Sequence, residues 1–104
     1  MSGLDNTSET VRTTASTAVT LTNNDYVVLL AVLTGATAVT LPAGSTVTPG
    51  RPYTVYKDAS AQTVTITPAS GTIDGGANTT LATGAAHAKT FITDGTNWFT
   101  LTAY

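Results

Sequence analysis

Cysteine is absent from this 104-residue chain. That excludes a disulfide framework and a thiolate metal site. Charge is scarce as well: 10% of the residues are Asp, Glu, Lys or Arg, against a usual share of about 25%. The four basic residues, Arg12, Arg51, Lys57 and Lys89, are scattered, and the formal net charge is −2. A phosphate-binding surface requires clustered Lys and Arg, so no nucleic-acid partner is expected. Long hydrophobic runs are missing too. The longest covers residues 26–33, far short of the roughly 20 that a helix needs to cross a bilayer. No membrane partner is expected. The start, Met1-Ser2-Gly3-Leu4-Asp5-Asn6, has neither a basic residue nor an apolar core, so no signal peptide is expected, and synthesis in a cytoplasm is. No window carries a helical period of 3.6 residues for more than two turns.

What the chain does have is threonine, 25 of 104 residues. Thr is β-branched, favours extended backbone and keeps a solvent face polar without charge. A chain of this length forms one domain. Residues 1–14 are polar and aperiodic, with Leu4 and Val11 as their only sizeable apolar side chains. They read as a flexible N-terminal arm, leaving a single β domain over residues 15–104.

Alternating segments then follow one another between turn signals. Ala18 to Thr22 alternates, and Asn23-Asn24-Asp25 is a turn cluster. Ala38 to Leu41 ends at Pro42, which cannot donate to a ladder. Arg51 to Lys57 and Gln62 to Thr67 alternate; Val64 and Ile66 share one face, and Thr63, Thr65 and Thr67 the other. Residues 68–80 read as a Gly-rich loop holding the short extended piece Thr72-Ile73-Asp74. Lys89 to Thr93 and Trp98 to Ala103 flank Asp94-Gly95-Thr96-Asn97, a hairpin signal. The spacing predicts an all-β fold, a small antiparallel sandwich or a partly closed barrel. Tyr26 to Leu33 is apolar on both faces of any strand. One face fills the protomer's own core, and the other asks for cover from a neighbouring subunit. Val28, Leu30 and Val32 are the interface candidates, with Leu29 on the opposite face.

Candidate chemistry is thin. His87 is the only histidine and sits among Ala85, Ala86 and Ala88, with no Gly-x-Ser-x-Gly elbow anywhere. Asp58, Asp74 and Asp94 lie beside turns, where Asp caps local amides, and they lack the spacing of a calcium loop. Gly71 to Gly76 has neither the lysine nor the helix of a phosphate loop. The Thr-x-Thr rows at Thr63 to Thr67 and Thr100 to Thr102 lack the fixed period of ice-binding faces. The expectation is therefore no catalytic, metal or cofactor site. Trp98, with Phe99, Tyr53, Tyr56 and Tyr104 elsewhere in the chain, offers either core packing or a platform for a glycan.

Across Leu41 to Trp98 the order is Leu41-Pro42, then Pro49-Gly50-Arg51-Pro52-Tyr53-Thr54-Val55-Tyr56-Lys57-Asp58. Val64-Thr65-Ile66-Thr67, Ser70-Gly71-Thr72-Ile73-Asp74-Gly75 and Phe91-Ile92-Thr93-Asp94-Gly95-Thr96-Asn97-Trp98 come next. This order and spacing resembles a surface module of tailed-phage virions, found in head decoration or cement proteins, head fibres and tail-fibre tips. The resemblance covers a little over half the chain. It implies an all-β, usually trimeric, non-enzymatic protein made in the host cytoplasm. A short chain starting at Met1 favours a head decoration protein that binds the outer capsid surface as a homotrimer and reinforces it. Its partner would be the major capsid protein, with Leu4, Val11 and Arg12 of the arm as capsid-contact candidates. The alternative is a receptor-binding tail-fibre tip or adhesin module that recognises host-surface glycan through Trp98.

Overall fold

The computed structural model describes residues 10–22, 25–31, 33–59 and 61–103. Among the described residues nine strands follow in chain order: β1 (Thr10–Thr14), β2 (Ala18–Thr20), β3 (Asp25–Leu30), β4 (Thr37–Leu41), β5 (Tyr53–Lys57), β6 (Val64–Pro68), β7 (Thr79–Leu81), β8 (His87–Thr93) and β9 (Trp98–Ala103). Among the described residues the only helical turn is a short 3-10 piece, Gly44–Thr46, between β4 and β5. The expected all-β fold is present.

The strands form two sheets packed as a sandwich, ordered β9-β8-β5-β3-β1 and β2-β4-β6-β7. From β1 to β6 the chain changes sheet at every turn. Each sheet therefore receives every second strand, and neighbours run parallel: β1 with β3, β3 with β5, β2 with β4, and β4 with β6. Three flattened coils result, each one strand from either sheet, stacked in register. Val19 lies beside Val39, which lies beside Ile66. The last strands close the stack antiparallel. β7 pairs β6, β8 pairs β5, and β9 pairs β8 through the Asp94–Asn97 turn. The expected antiparallel sandwich is thus corrected to mixed sheets, and there is no closed barrel. β2 and β3, consecutive in the chain, belong to opposite sheets.

Period-2 alternation decides which side chains enter the core. From the five-stranded sheet come Val28, Leu30, Tyr53, Val55, Phe91 and Trp98; from the four-stranded sheet come Val19, Val39, Leu41, Val64, Ile66 and Leu81. Side chains of this size contribute about 1.5–3 kcal/mol each when fully buried. Ile73 adds to the core from the loop before β7, where it bridges Gly76 and Trp98.

Two expectations for the first third of the chain change. Residues 10–14 are a strand hydrogen-bonded to β3, so the arm reading does not hold for them. Residues 1–9, Leu4 included, lie outside the described residues. Val28 and Leu30, assigned to a subunit interface, face the core with 1% and 0% exposure. They are corrected to core residues, because parallel pairing sets them beside Val55 and Lys57 on the inner side. Val32 lies outside the described residues.

Candidate interaction surface

The outer side of the five-stranded sheet is the most unusual surface of the molecule. One row crosses all five strands: Val11, Val27, Thr54, Thr90 and Thr102. The next holds Thr13, Leu29, Tyr56 and Ala88. Ile92 and Phe99 stand side by side beyond the first row. No outward position of this sheet carries a charged residue. Thr54 and Thr90 bond their hydroxyls to each other at 2.9 Å, which satisfies them without water. Val27, Leu29, Tyr56 and Ile92 are half-buried. The large apolar side chains most open to solvent are Val11 at 63%, Leu101 at 57% and Phe99 at 41%. They lie on β1 and β9, the two edge strands. Leu101 occupies a bulge that shifts the register between Thr100 and Thr102.

The outer side of the four-stranded sheet differs in kind. Its rows are Ala18, Ala38, Thr65 and Thr80, then Thr20, Thr40 and Thr67. Small side chains and hydroxyls make this face flat and polar without charge.

Asp25 and Lys57 are buried, and Arg12 and Arg51 reach toward the inner side. Arg12 stands in register with Val28, at the open edge of the sandwich. Its guanidinium donates to the Asp25 carboxylate at 3.0 Å and to the Thr20 carbonyl at 3.2 Å. Asp25 also accepts from the Thr22 N–H at 2.9 Å. Arg12 thereby ties β1 to Asp25 at the start of β3, with its side chain still 41% exposed. Arg51 donates to the Asp25 carbonyl at 2.7 Å and to the Tyr53 hydroxyl. Its guanidinium carbon stands 4.5 Å from the Tyr53 ring centre. Burial raises the Tyr53 pKa above the ordinary value of 10.0, and the Arg51 cation partly opposes that. Lys57 is fully buried and donates to the Asp58 carbonyl at 2.8 Å. Alternation with Tyr53 and Val55 marks it as inward-facing, a signal already in the sequence.

One end of the sandwich gathers the Pro, Gly and Asp turns that carry the resemblance. Trp98 anchors it. The ring is fully buried, meets Tyr53 edge to face at 5.4 Å, and donates Nε1–H to the Pro42 carbonyl at 3.0 Å. Trp98 is therefore a core residue, and the glycan platform assigned to it is withdrawn. The Asp94 carboxylate accepts from the N–H groups of Asn97 and Thr96, which holds its pKa below the ordinary value of 3.8. Gly44 and Gly71 press against this turn from either side. A Cβ on Gly44 would lie 2.5 Å from Thr93 Oγ1, and one on Gly71 would strike the Thr96 carbonyl oxygen. Asp74 takes a left-handed φ of 52° and ties the adjoining loop to β9.

His87 stands in register with Lys57 on the inner side of β8. Among the described residues no three His, Asp or Glu side chains are close enough to share a metal ion. No helix among them is long and apolar enough to cross a membrane. The arrangement can bury apolar surface against another protein. Neither protein-family models nor curated proteins give a match to this chain.

Proposed function

We propose that this protein is a non-enzymatic structural component of a tailed-phage virion, a head decoration protein. In this reading it is made in the host cytoplasm, assembles as a homotrimer, and sits on the outer capsid surface. There it bridges neighbouring copies of the major capsid protein and reinforces the shell. The observation that carries the reading is the uncharged, largely apolar outer side of the five-stranded sheet. A lone soluble chain rarely leaves such a patch open to water. The Trp98-anchored end supports it further. It brings together the Leu41-Pro42, Pro49-Gly50, Gly71 to Gly75 and Asp94 to Trp98 segments on which the resemblance rests.

Val11 remains an exposed candidate for capsid contact. The test is imaging of particles assembled with and without the protein, together with their resistance to heat and dilution. Added density on the outer capsid lattice and a gain in particle stability are expected. Density at the tail tip instead would replace this reading with that of a receptor-binding module. Absence from the particle altogether would end both.

A further inference from the structure

We infer that the outer side of the five-stranded sheet is the subunit interface, and that its occupants are two further copies of this chain. Three such sheets pack around a threefold axis, with β9 of each copy meeting β1 of the next. The inference rests on the trimeric part of the reading above and adds the face and the geometry.

Three observations select this arrangement. The first is charge. Every outward position of the sheet is uncharged, so copies of the surface meet without repulsion and bury no unpaired ion.

The second is where the exposed apolar groups lie. In a face-to-face pair of sheets the edge strands form the rim, and rims are polar. Here the edge strands carry the most exposed apolar groups, Val11, Leu101 and Phe99, while on the inner strands Val27, Leu29, Tyr56 and Ile92 are half-buried and Thr54 bonds Thr90. A closed ring of three sheets has no such rim along its edges. Opposite edges of the same sheet meet at three corners, and a cyclic trimer requires this kind of contact between two different patches.

The third is size. Five strands at about 4.8 Å spacing make a sheet roughly 24 Å wide, and three of that width set edge to edge leave each midline about 7 Å from the axis. That gap is deepest under the central strand. β5 is the central strand, and it carries Tyr56, the longest side chain of the outer rows. At each corner the small Val11 and Thr13 of β1 stand opposite the larger Phe99 and Leu101 of the neighbouring β9.

The row from Val11 to Thr102 provides the test, because the native chain has no cysteine. In the ring, Thr102 of one copy lies level with Val11 of the next. Within one copy the two are four strand spacings apart, about 19 Å, beyond a short bis-maleimide. The double variant Val11→Cys/Thr102→Cys is treated with that reagent at micromolar concentration and run on a denaturing gel. Each single variant is run beside it, and uncross-linked protein is sedimented in parallel. The expected result is a covalent trimer from the double variant and uncross-linked chains from either single one. A covalent product limited to dimer, or a dimer from Val11→Cys alone, overturns the ring. Sedimentation as a trimer with no cross-link overturns the choice of face while leaving the trimer standing. Sedimentation as a monomer overturns the trimer itself, and the ring with it.

Discussion

Asp74 and Thr100 are joined twice. One carboxylate oxygen of Asp74 accepts from the Thr100 N–H at 2.8 Å, and the other accepts from its hydroxyl. The pair stitches the loop before β7 to the edge strand β9, and Asp74 holds a positive φ to reach it. Asn tolerates that backbone and keeps one acceptor, whereas Ala tolerates neither requirement. Asp74→Ala should lower stability by about 1–3 kcal/mol and Asp74→Asn by less. Urea unfolding followed by circular dichroism measures both; equal losses would mean that neither the acceptor Asn retains nor its tolerance of the positive φ contributes.

Trp98 is the only tryptophan and is fully buried. Its fluorescence should be blue-shifted and resist quenching by iodide. Trp98→Phe should cost about 2–4 kcal/mol through lost packing and an unpaired Pro42 carbonyl. Emission at the wavelength of free tryptophan in water would contradict the burial.

Three glycines form a graded series. Gly50 has a positive φ of 83° with open space around it, so Gly50→Ala should cost only about 1 kcal/mol. Gly44→Ala and Gly71→Ala drive a methyl group into the Asp94–Asn97 turn and should cost more. Melting temperatures should rank Gly50→Ala above the other two. The reverse order would show that the turn yields freely.

Asp94 titrates below its unfolded value because Asn97 and Thr96 donate to its ionised form. A group with a depressed folded pKa contributes stability above the unfolded pKa and loses it as pH falls through the folded one. Stability attributable to Asp94 should therefore be intact above about pH 4 and decline at lower pH. Asp94→Asn keeps the acceptor oxygen and removes the titration. Its unfolding free energy should fall less steeply than the wild type's in that acid range, and parallel curves would exclude the assignment.

Leu29 and Leu30 are adjacent and point to opposite sides of β3. Leu30→Asp places a charge in the core and should prevent folding, at a penalty of several kcal/mol. Leu29→Asp should leave the far-ultraviolet spectrum of the monomer unchanged and weaken self-association. Sedimentation and circular dichroism read the two effects separately. Folded Leu30→Asp protein would reverse the orientation of the strand.

The strands were legible wherever alternation was clean: β9 begins and ends at Trp98 and Ala103 as the pattern predicts, and Pro42 follows the end of β4. The two-sided apolar character of β3 was legible too, but its inner side was not. Val27, Leu29, Val28 and Leu30 are chemically equivalent, and only pairing with β5 separates them. The parallel order was hidden because short polar turns between alternating segments ordinarily mark hairpins, and nothing local reveals that the next strand joins the other sheet. β1 was hidden because an edge strand needs little apolar content. Val11 is exposed, and Arg12 is held by Asp25 thirteen positions away. The inward place of Lys57 was legible from alternation; its Asp58 carbonyl partner is adjacent in sequence, whereas the Ala85 carbonyl reaches it only through the fold.

The course of β1 and β9 has a mechanical consequence. Thr10 lies at the Trp98 end of one edge strand, and Ala103 at the far end of the opposite edge strand. Tension applied between these points runs along the strands and loads the β1–β3 and β9–β8 ladders in shear. All hydrogen bonds of a ladder then share the force at once, instead of parting one by one as in a peeled hairpin. A domain of two thin sheets loaded this way should resist stretching along its strands better than one pulled apart across them.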